Sequence, residues 1–171
     1  MKTILVTGAI GSGKSEVCRY LQTKGYAVYD SDSRTKALYE TVPGLKKQIE
    51  DALGIDFSRL AVIFKDSAKR ETLEAIVYPL VIEDIKQWKE ALVKDPSYRK
   101  RRVFVESAIA TEKPLFDTLY DEVWLVEAPL EQRLARNPKA ATRDALQHHS
   151  RTKANRIIVN DSTLEKLYRK I

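Results

Sequence analysis

The sequence predicts a three-layer α/β fold, with a five-stranded, mainly parallel sheet covered by helices on both faces. Three observations carry this expectation. Short apolar runs of strand length alternate with stretches of helical period, which implies crossover connections between parallel strands. A glycine-rich turn, residues 8–13, separates the first apolar run from the first helical stretch. The 171 residues, 43% hydrophobic and 32% charged, suffice for one globular domain with a sizeable core.

Each element has its own signal. Residues 2–7 read as a short buried strand that ends at Gly8. Residues 14–24 have a helical period, with Val17, Tyr20 and Leu21 on one face and Gly25 closing the helix. Residues 26–29 form a second strand leading into Asp30-Ser31-Asp32, with a helix expected to start near Ser33. Residues 33–96 are mostly helical, with interruptions at Pro43-Gly44 and residues 54–58. The helical stretch 66–92 carries Pro79 near its middle, where a break or kink is expected. Residues 103–106, 122–127 and 156–159 complete the five strands. A helix starts at residues 130–136 after Pro129 and is expected to stop at Asn137-Pro138. The closing helix, 162–171, takes Ser162 as N-cap with Glu165 completing a capping box.

Composition narrows the classes of function. No apolar run approaches the roughly 20 residues of a membrane helix. The first residues, Met-Lys-Thr-Ile-Leu-Val-Thr-Gly, do not read as a signal peptide, because the apolar stretch is short and runs into the glycine-rich turn. Cys18 is the only cysteine, so no internal disulfide can form, and a cytoplasmic location is expected. The net charge of +6 calls for an anionic partner. Seven cations (Arg133, Arg136, Lys139, Arg143, Arg151, Lys153 and Arg156) face a single acid, Asp144, between residues 133 and 156. Arg99-Lys-Arg-Arg102 is read as a solvated approach to the third strand, since no nucleic-acid-binding module accompanies it. The adjacent pair His148-His149 makes a poor metal site.

The chemical signal is Gly8-Ala-Ile-Gly-Ser-Gly13-Lys14-Ser15, a phosphate-binding loop, or P-loop, set between a strand and a helix. Gly8, Gly11 and Gly13 permit backbone angles that turn successive N–H groups inward around a phosphate, with Ser12 between them. The helix opening at Lys14 points its positive end at the same oxygens, and Glu16 lies in its first turn. Lys14 can neutralise β- and γ-phosphates, while the Ser15 hydroxyl can ligate Mg²⁺. The motif is therefore expected to hold ATP. No Asn-Lys-x-Asp follows to read guanine, and Asp51-Ala-Leu-Gly54 is read as a helix end. A small kinase fits the length.

Asp30 and Asp32 follow the second strand, where an open parallel sheet gathers ligands. A carboxylate there can accept a hydroxyl proton, or it can cap the following helix. Asp30 is assigned the structural part and Asp32 the chemical one.

The P-loop, followed at this spacing by Val28-Tyr-Asp-Ser-Asp32, resembles the start of the dephospho-coenzyme A kinases. The likeness continues in Leu73-Glu-Ala-Ile-Val-Tyr-Pro79, Val105-Glu-Ser-Ala-Ile109, Glu122-Val-Trp-Leu-Val-Glu-Ala-Pro129 and Ile158-Val-Asn-Asp161. It implies ATP-dependent phosphorylation of the ribose 3′-hydroxyl of dephospho-coenzyme A. Asp32 falls on that family's general base, Lys14 and Ser15 on its triphosphate and Mg²⁺ groups, and Glu106 on the acidic position ending the third strand. Tyr78 stands where the family usually has histidine, and the segment between Arg136 and Ile157 is shorter than the family's lid.

One kinase domain is expected, with a core of residues 1–32, 99–136 and 154–171, a helical acceptor-binding region 33–98 and a lid 137–153. Arg136 and Arg143 are the candidate lid arginines, Arg136 expected to reach phosphate and Arg143 either phosphate or solvent. The partners expected are ATP and dephospho-coenzyme A, without nucleic acid or membrane. Two rivals remain: a kinase of another nucleoside or nucleotide, and a nucleotide-binding module with weak catalysis.

Overall fold

The computed structural model describes residues 1–144 and 151–171, apart from the side chains of Phe64, Arg143 and Asp144. His148 and His149 lie outside the described residues. The chain forms two compact units, one of Met1–Asp30 with Asp95–Ile171 and the other of Ser31–Lys94.

The first unit is built on β1 (Lys2–Thr7), β2 (Val28–Asp30), β3 (Arg102–Glu106), β4 (Glu122–Glu127) and β5 (Arg156–Val159). All four pairings are parallel, in the order β2-β3-β1-β4-β5. The register sets Val6 beside Glu106 on one side and beside Trp124 on the other. β1 is thus central, and its carboxyl end is the point where chain connections diverge to either side.

β1 is buried on both faces, as a sheet between two layers requires. Ile4 and Val6 join Phe104, Trp124, Val126 and Ile158 in a core closed by Val17, Cys18 and Leu21 of α1 (Lys14–Thr23) and Leu167 of α7 (Leu164–Arg169). The alternate residues Thr3, Leu5 and Thr7 are each no more than 2% exposed. Tyr20 of α1 stacks on Tyr168 of α7 at 4.3 Å between ring centres, a pairing worth about 0.5–1.5 kcal/mol beyond burial.

Gly25 closes α1 as expected. At φ +79° it donates its N–H to Gln22 O at 2.9 Å, and the Tyr26 N–H reaches Leu21 O at 3.1 Å. These bonds tie up Tyr26, and β2 begins at Val28, two residues later than expected. The closing helix also shifts. Thr163, not Ser162, is its N-cap, with Oγ1 accepting from Lys166 N–H at 3.4 Å. That register takes Glu165 out of any capping box, and it pairs with Arg169 instead. Between these helices come α5 (Leu130–Arg136), which stops at Asn137 as expected, and α6 (Ala140–Asp144).

The second unit contains α2 (Ser31–Thr41), α3 (Leu45–Leu53) and α4 (Ser67–Lys94), which pack on one another. Gly54, at φ +65°, ends α3, so Asp51-Ala-Leu-Gly54 is indeed a helix end. Of the break or kink expected at Pro79, a break does not occur: α4 runs unbroken for 28 residues. Its buried stripe, Leu73, Val77, Val81 and Ile85, recurs every four residues. Pro79 and Ala75 lie on the exposed face, where the carbonyl that loses its helical donor can turn to water. No helix among the described residues is long and apolar enough to cross a membrane.

Candidate active site

The P-loop leaves the carboxyl end of β1 and wraps the N-terminus of α1. Its glycines are required by contact as well as by angle. Gly8, Gly11 and Gly13 have φ of +148°, +77° and +103°. A Cβ on Gly8 would lie 2.2 Å from the Val126 carbonyl oxygen, and one on Gly13 2.3 Å from Asn160 Nδ2. No side chain caps the start of α1, whose positive end faces the loop and suits an anion. Ser12 is fully buried, and its Oγ has no hydrogen-bond partner among the described residues. Lys14 Nζ bends over the loop toward the Ala9 carbonyl at 3.5 Å.

Ser15 and Glu106 meet: Ser15 Oγ donates to Glu106 Oε1 at 2.6 Å. The contact follows from the sheet, because β3 ends beside β1 at the pair Val6 and Glu106. A hydroxyl and a carboxylate make a hard, all-oxygen donor pair of the kind Mg²⁺ accepts, its remaining positions being filled by phosphate and water. Among the described residues no group of three or more His, Cys, Asp or Glu forms a metal cage of protein ligands alone. Cys18 lies beneath this pair; burial, and then the neighbouring Glu106 carboxylate, push its thiol far up from its ordinary range. It is an inert core residue.

Glu16 accepts from Tyr168 Oη and pairs with Arg19. It therefore ties α7 to α1. Arg136, the last residue of α5, donates from Nη1 to Gly11 O at 3.0 Å and from Nη2 to Gln132 Oε1 at 3.1 Å. Arg133 is buried and donates from Nε to Ala128 O at 3.1 Å. The expected reach of Arg143 falls on a side chain outside the described residues.

Much of the local positive charge has structural employment. Arg151 Nε pairs with Glu127 Oε1 at 2.9 Å and Lys153 Nζ donates to Thr111 O at 2.7 Å. Arg156 bonds the chain end at Ile171 O and lies over the Trp124 ring, 4.6 Å from its centre. A run of cations in sequence conceals this division, since each carbonyl or carboxylate they meet comes from a distant segment.

Asp32 lies in the first turn of α2, two residues past the end of β2. The helix starts at Ser31 and not near Ser33, so Asp32 belongs to it and does not precede it. A carboxylate in a first turn suits the positive end of a helix. Tyr78 is half-buried within α4.

Asn160, against the P-loop, and Gln132, which joins Arg136 to the turn after β5, were not singled out by their residue type. Asn160, 4% exposed, donates from Nδ2 to Ser12 O at 2.9 Å. Gln132 donates from Nε2 to Asp161 O at 3.1 Å. The available signal for Asn160 was its position directly after β5, the edge neighbour of β4.

Over most of its length the chain is similar to dephospho-CoA kinases. The family model for dephospho-CoA kinase matches residues 2–168. A dephospho-CoA kinase of Porphyromonas gingivalis is 37% identical over 154 residues, covering 82% of this chain and 73% of that protein. One from Fusobacterium nucleatum is 30% identical over 187 aligned positions, covering 97% of this chain and 93% of that protein. A crystal structure from Thermus thermophilus superposes with a TM-score of 0.75 at 30% identity, covering 98% of this chain and 93% of that one. With a phosphate cradle on a 2-3-1-4-5 parallel sheet, and a family model matching from the second residue almost to the last, the chain belongs to the dephospho-CoA kinase family.

Proposed function

We propose that this chain transfers the γ-phosphoryl group of ATP to the ribose 3′-hydroxyl of dephospho-coenzyme A, giving coenzyme A and ADP. The observation that carries this reading is the P-loop closed against Glu106 by Ser15, within a chain matched almost throughout by one kinase family. The loop residues Gly8, Gly11, Ser12 and Gly13 to Glu16 enclose the β-phosphate, with main-chain N–H groups at the start of α1 binding it, and Lys14 spans the β- and γ-phosphates. Asp32 accepts the proton of the acceptor hydroxyl as that oxygen attacks phosphorus. Arg136, already against the loop, and Arg143 stabilise charge on the transferring group. Ser15 and Glu106 would hold Mg²⁺, which supplies neutralisation of the phosphate oxygens when bound.

Residues 33–98 serve as the acceptor-binding region and 137–153 as a short lid, on a core of 1–32, 99–136 and 154–171. A cytoplasmic enzyme acting on small molecules accords with a lone, buried cysteine.

A coupled ADP-release assay tests the acceptor. Dephospho-coenzyme A should support Mg²⁺-dependent turnover well above that seen with nucleosides and nucleotides. Release with a nucleotide but not with dephospho-coenzyme A overturns the acceptor assignment. Tight ATP binding without transfer to any acceptor makes the chain a binding module.

A further inference from the structure

Two backbone carbonyls of the P-loop are each held by a side chain from elsewhere in the first unit. Asn160 Nδ2 donates to Ser12 O at 2.9 Å, and Arg136 Nη1 to Gly11 O at 3.0 Å. The two donors are linked. Arg136 Nη2 donates to Gln132 Oε1 at 3.1 Å, and Gln132 Nε2 donates to Asp161 O, next to Asn160, at 3.1 Å. Asn160 is itself anchored by its main-chain N–H on Glu127 O at 2.7 Å. α5 and the turn after β5 thus form a continuous hydrogen-bonded clasp around Gly11 and Ser12.

The planarity of the peptide gives this clasp a consequence. In a trans peptide the C=O and the following N–H point in opposite directions. Fixing Gly11 O turns Ser12 N–H the other way, onto the Ala9 carbonyl at 3.0 Å, which closes the turn of the loop, and fixing Ser12 O turns Gly13 N–H away from Asn160. Glycine-rich backbone has little intrinsic resistance to a peptide flip, so an external hold is needed to keep those N–H groups oriented. The fit around Asn160 is close: a Cβ at Gly13 would lie 2.3 Å from its Nδ2. Aspartate in its place would keep the shape but set an oxygen against the Ser12 carbonyl.

We propose that Asn160 and Gln132 are positioning residues for ATP, holding the carbonyls of Ser12 and, through Arg136, Gly11 so that the Ala9–Ser12 turn stays closed and Gly13 N–H stays turned toward the triphosphate. Neither needs to touch the nucleotide. The proposal rests on the reading of residues 8–15 as the triphosphate cradle, and the test therefore measures ATP binding directly, apart from the identity of the acceptor.

The experiment compares the full chain with Asn160→Asp and Gln132→Ala. It measures Mg²⁺-ATP affinity by calorimetry, thermal unfolding, and steady-state kinetics. Asn160→Asp should bind ATP about tenfold or more weakly, the scale of losing one buried hydrogen bond and opposing two acceptors. KM for ATP should rise in step, with KM for dephospho-coenzyme A and kcat at saturating ATP within about twofold of the parent, as for an interaction lost equally from ground and transition states. Gln132→Ala, at a half-buried site on α5, should weaken ATP by roughly threefold. A purely structural role would lower the unfolding temperature and leave ATP affinity unchanged well below it, and that result overturns the proposal. If Asn160→Asp does not fold, Gln132→Ala decides: parental affinity overturns the clasp. A parent chain that binds no ATP overturns the cradle reading as well.

Discussion

In the P-loop the backbone is enclosed: the sites where Gly8 and Gly13 would carry a Cβ are taken by the Val126 carbonyl and the Asn160 amide, and Ser12 is fully buried. In α2, which carries Asp32, none of the eleven residues is buried. It is fastened within its own unit by side chains, chiefly a two-pronged contact of Arg34 with Asp84 at 2.9 and 2.6 Å. The two regions carry the two halves of the proposed reaction under opposite constraints. Where backbone meets backbone or a buried amide, sequence latitude disappears and a strict motif results. Where a surface helix presents one carboxylate, only the residue proposed for the chemistry is constrained, so the motif shrinks to a single aspartate and its spacing from a strand.

Substitutions can break this contrast. The largest effect on turnover is expected from Asp32→Ala, about a thousandfold loss of kcat, within the usual range for removing a general base. ATP affinity should stay within about twofold of the parent, since the cradle is untouched. Calorimetry beside the ADP-release assay checks both, and surviving turnover would remove Asp32 from the mechanism. Gly8→Ala should act the other way, weakening ATP roughly a hundredfold or more, through φ +148° and collision with the Val126 carbonyl. Titration with ATP would show it, and near-parental affinity would mean that the loop yields more than its contacts suggest.

Glu106→Gln sharpens the picture of the cradle. It keeps an acceptor for Ser15 but loses the charge, so the Mg²⁺ concentration for half-maximal turnover should rise on the order of tenfold. An unchanged Mg²⁺ dependence would make Glu106 a purely structural partner of Ser15. The smallest effect belongs to α2. Arg34→Ala should lower stability by no more than about 1 kcal/mol, because the pair is solvent-screened on the arginine side, 48% exposed. Denaturant unfolding would detect a larger loss, which would show α2 to be held more firmly than its exposure implies.

Sequence reading succeeded where local chemistry decides. The alternation of strands and helices gave the parallel sheet, and Gly25, Gly54 and Asn137 ended their helices as expected. Failures had nonlocal causes. Pro79 broke nothing, because its exposed face of α4 lets water take the orphaned carbonyl while the buried stripe holds the helix together. Ser162 lost the capping role to Thr163, a choice between adjacent hydroxyl residues that the docking of Leu167 into the core settles. The basic segment looked like uncommitted charge because the acceptors of Arg151, Lys153 and Arg156 lie elsewhere in the fold.

By itself the sequence determined that a triphosphate cradle follows the first strand, and which family the chain resembles. The cradle depends on residues close together in the chain, three glycines whose φ angles the turn demands, a lysine and a hydroxyl, and the resemblance on short motifs between Thr7 and Asp161, each read locally. Only the tertiary structure decided how that cradle is held. Ser15 meets Glu106 across 91 positions and Ser12 meets Asn160 across 148. Those distances close only when β3 and β4 flank β1 and β5 follows on the edge, because parallel pairing brings the strands' carboxyl ends together and with them the side chains that hold the loop.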